Sequence, residues 1–158
     1  MTSIELYDAT LRDGMQGPGL TLSAAEKVRV ARKLDELGVH LIEAGFPSSN
    51  PKELELFELL AQERFEHSDV AAFGMTRRRG VPAAEDDGLR VLADCFAPVC
   101  TIVGKSSKFQ VTEILRATLE VNLQMIEESV RFLVAQGRRV VYDAEHFFDG
   151  YALDAEYA

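Results

Sequence analysis

Arg12 and Asp13 adjoin in the run Asp8-Ala9-Thr10-Leu11-Arg12-Asp13-Gly14-Met15-Gln16, directly after a short apolar segment. A fixed cation beside a carboxylate can polarise a carbonyl, yet the same pair in an exposed loop is an ordinary salt bridge worth at most about 1 kcal/mol. Two further carboxylates favour the chemical reading. Glu43 stands in an apolar run just before Gly45-Phe46-Pro47, and Glu145 ends a run that contains Val140-Val141. A carboxylate at the end of an apolar strand is expensive to bury without a cationic or metal partner, and Arg12 is the expected partner.

These side chains converge only if the segments carrying them are parallel strands that end on one rim. The pattern predicts this, because short β-type runs at residues 4–8, 39–44, 70–74, 98–103 and 139–145 alternate with helical patterns. After a loop over residues 14–20, Ser23 and Glu26 match a capping box and Gly38 gives the stop. Within that helix Val28, Ala31, Leu34 and Leu37 form the expected buried stripe, with Lys27, Arg29, Lys33 and Glu36 facing water. Asn50 and Pro51 read as the cap and first position of a second helix, with Leu54, Phe57, Leu60 and Ala61 buried. A third is expected from Ala83 or Ala84 towards Cys95. A long fourth is expected over residues 111–136, with Ile114, Leu115, Leu119, Leu123, Ile126, Val130 and Leu133 on its apolar side. The tail FFDGYALDAEYA reads as a loop followed by a turn that Asp154 caps.

Strand starts recur every ~30 to 40 residues, a pitch suited to right-handed βαβ units. The expected fold class is α/β: a partial TIM (β/α)8 barrel of parallel strands. A full barrel takes ~250 residues, so the chain would hold about the first four and a half βα units. The alternative is an open doubly wound sheet, but the first turn lacks the GxGxxG that nucleotide-binding sheets of that kind use.

Composition narrows the partners. A formal charge of −9 and a pI near 4.8 argue against nucleic acid, which needs clustered Lys and Arg. The one basic cluster, Arg77-Arg78-Arg79 before Gly80, is either a solvated loop or a contact for an anionic ligand. No run approaches the ~20 apolar residues that span a bilayer, and acidic Glu5 and Asp8 stand where a signal peptide needs basic and apolar residues, so a cytoplasmic protein with no membrane partner is expected. Cys95 and Cys100 lack metal-site or CxxC spacing and read as reduced thiols.

DATLRDGMQ followed by IEAGFPSSNP resembles the opening signature of the acyl-CoA-condensing metallo-barrels, which include isopropylmalate, homocitrate and citramalate synthases and hydroxymethylglutaryl-CoA lyase. FGMTRRRGV, VGKSSKFQVTEILR and YDAEHFFDGY are similar to the citramalate synthase branch. The resemblance covers the whole chain. It implies that residues 1–158 are the N-terminal portion of a pyruvate-carboxyltransferase-like barrel, whose remaining strands and any C-terminal regulatory domain lie outside this chain.

It also implies roles. Asp13 would be a ligand of a divalent metal (Mg, Mn or Zn). Arg12 would be catalytic and bind substrate by stabilising the oxyanion of an attacked 2-oxo acid. Glu43 would orient Arg12, Glu145 would pair with Arg12 or a water during proton transfer from the co-substrate acetyl-CoA, and Gln16 would contact the thioester. The implied reaction joins acetyl-CoA to pyruvate and yields citramalate. Isopropylmalate or homocitrate synthesis, or carbon-carbon cleavage of the lyase kind, are the alternatives. Relatives complete the metal site with a His-x-His pair, which His40, His67 and His146 do not form, and Gln110 stands where related sequences often carry His. The chain by itself is therefore expected to be inactive. With unclosed strand edges it is also expected to self-associate, as a homodimer.

Overall fold

The structure, a computed structural model, describes residues 4–158. Five parallel strands, β1 (Tyr7–Asp8), β2 (Leu41–Gly45), β3 (Asp69–Met75), β4 (Val99–Lys105) and β5 (Arg139–Glu145), pair in sequential order. Helices α1 (Ala24–Glu36), α2 (Pro51–Leu60), α3 (Asp87–Asp94) and α4 (Leu119–Ala135) lie between successive strands, and α5 (Phe147–Leu153) follows β5. A doubly wound sheet would reverse its strand order at a switch point, and the described strands show no reversal.

The sheet is curled. If it were flat, with strands about 4.8 Å apart, β1 would lie about 14 Å from β4 and about 19 Å from β5. Yet the Tyr7 hydroxyl is 2.6 Å from Thr101 Oγ1 on β4. The Arg139 guanidinium, at the start of β5, donates to both oxygens of Glu5 just ahead of β1, at 2.9 and 2.5 Å. Side chains span those gaps only if the strands bend around a common axis, so the sheet forms half of a barrel wall.

Two layers of packing follow. Ile42, Ala44, Val70, Ala72, Cys100 and Ile102 face outwards and form the main core with Val28, Ala31, Leu56, Leu60, Leu92 and Leu133 of the helices. On the concave face a small cluster of Leu41, Ala71 and Val99, with Val141 against it, makes a floor. The free Cys100 thiol lies in the outer layer, and burial pushes it up to about 11.

Local chemistry fixes the elements. The Ser23–Glu26 capping box is present in both directions, and the Asn50 side chain accepts from the Lys52 and Glu53 N–H groups with Pro51 at the first helical position. At the end of α1, the buried Asp35 carboxylate accepts from the N–H groups of Glu66, His67 and Ser68 at 3.0, 2.8 and 2.8 Å, which pins the turn into β3. Burial by itself would raise that carboxyl, but the three backbone bonds hold it below its ordinary value. Gly74 lets α3 approach β3, since a Cβ there would lie 2.5 Å from Leu92 Cδ1.

Several expectations need correction. The long fourth helix is interrupted: Gln110–Ile114 forms a π-turn, Arg116 adopts φ 53°, and α4 begins only after Thr118, whose hydroxyl accepts from the Val121 N–H. Its buried face is Asn122, Met125, Ser129 and Leu133, while Ile114 and Leu123 are exposed. Two polar residues lie in that face because they satisfy backbone groups of the sheet side: Asn122 donates to the Lys105 carbonyl at 2.8 Å and Ser129 accepts from the Arg77 N–H at 2.9 Å. Lys27 is buried rather than solvated, its ammonium 2.6 Å from Glu53 Oε1. Leu37, Leu54 and Ala61 are exposed, and Leu56 takes a buried place on α2. The third helix starts at Asp87 with Asp86 as its cap, after a 3-10 turn over Ala83–Glu85. The FFDGYAL stretch is helix rather than loop, while Asp154 does cap the turn after it through the Tyr157 N–H.

Candidate active site at the C-terminal rim

The loop after β1 is folded tightly enough to aim its side chains. The Ala9 carbonyl accepts from the N–H groups of Arg12, Asp13 and Gly14 at 3.2, 2.9 and 3.1 Å, the Asp8 carboxylate caps Thr10, and Leu11 is fully buried as an anchor. Arg12 and Asp13 are thereby left over the concave face. Glu43 comes up from β2, where the register with β3 shifts between Glu43 and Gly45. Such bulges re-aim side chains next to sites. The Glu53 side chain packs against Gly45, where a Cβ would fall 1.9 Å from its Oε2, so a larger residue there would displace that carboxylate.

Three of the sequence-predicted residues meet. Arg12 Nε donates to Glu43 Oε1 at 2.5 Å and its Nη1 donates to Asp13 Oδ1 at 2.9 Å. The guanidinium carbon sits 3.9 Å above the centroid of the Phe73 ring, a cation–π contact that holds the plane of the fork. Side-chain exposures of 18 % for Arg12, 1 % for Glu43 and 63 % for Asp13 grade the cluster from a sealed base to a wet tip. Nη2 of Arg12 has no partner among the described residues, so one face of the fork remains available to a ligand.

Sequence reasoning missed the layer beneath. The Tyr7 hydroxyl donates to Glu43 Oε2 and meets Thr101 Oγ1, so both Glu43 oxygens are engaged. Burial, and next the bond to Glu43, raise the Tyr7 phenol far above its ordinary value, and it stays a neutral donor. The available signal was strand alternation: Thr101 and Phe73 share the inward parity that Glu43 has on β2.

Glu145 reaches the same rim but not the expected partner. Its Oε2 is bonded by the Lys105 ammonium, the neighbour in register on β4, and no contact joins it to Arg12. The physical reason is proximity, because paired positions on adjacent strands lie closer than β1 and β5 across the opening. His146 follows in a left-handed conformation with φ 56°, its Nε2 3.9 Å from Glu145 Oε1. The loop after β4 locks onto this end: Ser106 Oγ donates to the Glu145 carbonyl at 2.6 Å, Lys108 pairs with Asp154, and a Cβ on Gly150 would lie 2.7 Å from the Ser106 carbonyl. Gln16 is exposed at the end of the 3-10 turn Gly14–Gln16, with no side-chain hydrogen bond among the described residues.

The arginine cluster serves the fold. Arg77 Nε pairs with Glu128 at 2.6 Å, Arg78 bonds Asp86 and Asp87 at 3.0 Å each, and Arg79 donates to the carbonyl of the left-handed Arg116. Beside them a cleft of about 830 Å³ opens, walled by Phe46, Pro47, Leu54, Met75, Leu115 and Met125 among others. It does not include Arg12, but Phe46 packs edge-on to Phe73 at 5.6 Å and so connects it to the cluster.

Among the described residues no group of three or more His, Cys, Asp and Glu side chains gathers to hold a metal ion. Asp13 offers a hard oxygen donor, exposed and with one carboxylate oxygen uncommitted, which fits a single ligand position of a divalent cation but not a whole site. No described helix is long and apolar enough to cross a membrane.

Residues 3–154 match the HMGL-like family. The chain is 46 % identical over 158 residues to an (R)-citramalate synthase of Geobacter sulfurreducens, a match covering 100 % of this chain and 30 % of that protein. It is 48 % identical over 157 residues to the (R)-citramalate synthase of Streptomyces coelicolor, covering 99 % and 29 %. The chain therefore spans less than a third of the length of these relatives. Among solved structures, the HMG-CoA lyase of Bacillus subtilis superposes with a TM-score of 0.67 at 13 % identity, covering 88 % of this chain and 45 % of that one. That likeness concerns the fold, and it agrees with half a barrel.

Proposed function

Because the chain belongs to the HMGL-like family, we propose that it forms the first part of the barrel of a metal-dependent acyltransferase that condenses acetyl-CoA with pyruvate to give citramalate. The reading rests on one observation above all: a guanidinium fixed by two carboxylates and an aromatic face at the strand ends, with a donor left free. The full-length likeness of this chain to part of two citramalate synthases supports the choice of acceptor.

In this reading Asp13 is the one metal ligand this chain supplies, and the other ligands and the closing strands come from sequence outside residues 1–158. A bound divalent cation supplies Lewis acidity that makes the keto carbon of a 2-oxo acid more electrophilic. Arg12 presents its fork to the keto oxygen and stabilises the negative charge that grows there, a task suited to a fixed, planar cation. Glu145 takes a proton from the acetyl-CoA methyl group, the resulting carbanion equivalent forms the new carbon-carbon bond to the keto carbon, and the alkoxide is protonated. Water then cleaves the thioester and releases coenzyme A. For Glu145 to act, Lys105 must give up its hold on Oε2, and the exposed Gln16, on the same loop as Arg12, would contact the thioester. The cleft beside Phe46, with Leu54, Met75 and Leu115 in its lining, would give the carrier arm of acetyl-CoA an apolar wall. In a piece limited to residues 1–158 the edges of β1 and β5 are unpaired, which supports self-association of that piece as a homodimer, and the enzyme class supports a cytoplasmic location.

The test is coenzyme A release by the full-length protein that carries this segment, with pyruvate, 2-oxoisovalerate and 2-oxoglutarate as acceptors. Pyruvate should be preferred. A preference for 2-oxoisovalerate would move the assignment to isopropylmalate synthesis, and no release with any acceptor would end the condensation reading.

A further inference from the structure

We propose that Tyr7 is a positioning residue for the condensation: its hydroxyl, itself held by Thr101, fixes the Glu43 carboxylate so that Glu43 in turn fixes Arg12. This deepens the reading above and rests on it. The chain of contacts runs through three strands and the first loop, from Thr101 on β4 to Tyr7 on β1 at 2.6 Å, from Tyr7 to Glu43 Oε2 on β2, from Glu43 Oε1 to Arg12 Nε at 2.5 Å, and from Arg12 Nη1 to Asp13 at 2.9 Å.

Direction follows from proton counting. Glu43 accepts only, so Tyr7 gives it the phenolic proton, and Thr101, with one hydroxyl proton of its own, donates to Tyr7. A carboxylate with one oxygen bonded rotates about its last side-chain torsion, whereas one with both oxygens bonded from opposite sides does not. Glu43 is nine-tenths and more buried, so no water replaces a lost donor. Without the Tyr7 hydroxyl, Glu43 is free to swing, and the guanidinium loses its fixed aim at the keto oxygen. Tyr7 touches no reacting atom. It acts through Arg12, and its loss should lower turnover rather than substrate binding.

Kinetics and side-chain NMR test this together. In the full-length protein, Tyr7→Phe should lower kcat about tenfold, the size expected for one hydrogen bond to a charged group, with KM for pyruvate and acetyl-CoA unchanged within about twofold. Thr101→Val should act in the same direction and more weakly. Added to Arg12→Lys, Tyr7→Phe should cost less than about twofold more, because both changes remove one function. Losses that multiply in the double variant, or a Tyr7→Phe enzyme with wild-type kcat, overturn the proposal. If Tyr7→Phe does not fold, Thr101→Val decides alone, and wild-type kcat in that variant overturns it. If the wild-type enzyme condenses nothing, the reading of the reaction fails while the positioning claim is still read from the Arg12 Nε–H resonance. Slow exchange in the wild type and fast exchange in Tyr7→Phe support it, and equal exchange overturns it.

Discussion

Replacing Glu43 by Gln keeps the shape of the side chain and removes its charge, which isolates what the carboxylate does for the fold. Glu43 is 1 % exposed and faces two donors, Arg12 Nε and the Tyr7 hydroxyl. A glutamine offers one carbonyl oxygen and turns an NH₂ towards the second donor, so one contact becomes donor against donor. Breaking a buried ion pair by removing one partner costs about 3–5 kcal/mol. Two features lower that figure. Arg12 is 18 % exposed and keeps its contacts to Asp13 and Phe73, and Tyr7 can reverse to accept from the amide while donating to Thr101. We therefore expect a loss of about 2–3 kcal/mol, and for a domain of this size about 4–12 °C in Tm. Urea and thermal unfolding followed by circular dichroism at neutral pH, with an unchanged urea dependence, is the assay. A variant within about 0.5 kcal/mol of the wild type, the range of an ordinary surface substitution, would refute the claim that Glu43 and Arg12 depend on one another in a dry site.

Two further outcomes are expected. Asp35, whose carboxyl is held below its ordinary value in the folded state, contributes stability that is fully present above the unfolded value of about 3.9 and is lost as pH falls through the lower folded value. Asp35→Asn should cost about 1–3 kcal/mol at neutral pH, a difference that shrinks in acid. A gap that stays constant across that range in pH-dependent unfolding would count against the three backbone bonds as its source. Asp13→Ala should leave the melting curve almost unchanged, since the side chain is 63 % exposed, while raising the Mn²⁺ concentration that half-activates the full-length enzyme by at least about tenfold. An unshifted activation curve would remove Asp13 from the metal.

The strands, their parallel order and the rim at which they end were legible because alternation of apolar runs and capped helices carries that information locally. Arg12, Asp13 and Glu43 were legible for the same reason: they stand at strand ends, where charge needs an explanation. Their common base was harder to read. Tyr7 and Thr101 meet only because the wall curls, and curvature is a property of the paired strands together rather than of any single run. The Lys105 partner of Glu145 was not legible, because strand register brings the two together across 40 positions of sequence. Within the fourth crossover the apolar periodicity of Ile114 and Leu123 pointed to the wrong face. Buried Asn122 and Ser129 satisfy backbone groups at the strand ends, a tertiary demand that hydrophobic spacing does not encode.

The idea that a held guanidinium at the strand ends serves a reacting keto oxygen is tested most directly by Arg12→Lys in the full-length protein, with citramalate formed from acetyl-CoA and pyruvate quantified by mass spectrometry. Lysine keeps the charge but loses the planar fork that reaches Glu43, Asp13 and a ligand together. Product formation should fall by about 10²-fold or more, the size found when one oxyanion donor is removed, with the protein still folded. Citramalate made at the wild-type rate by the lysine variant would contradict it.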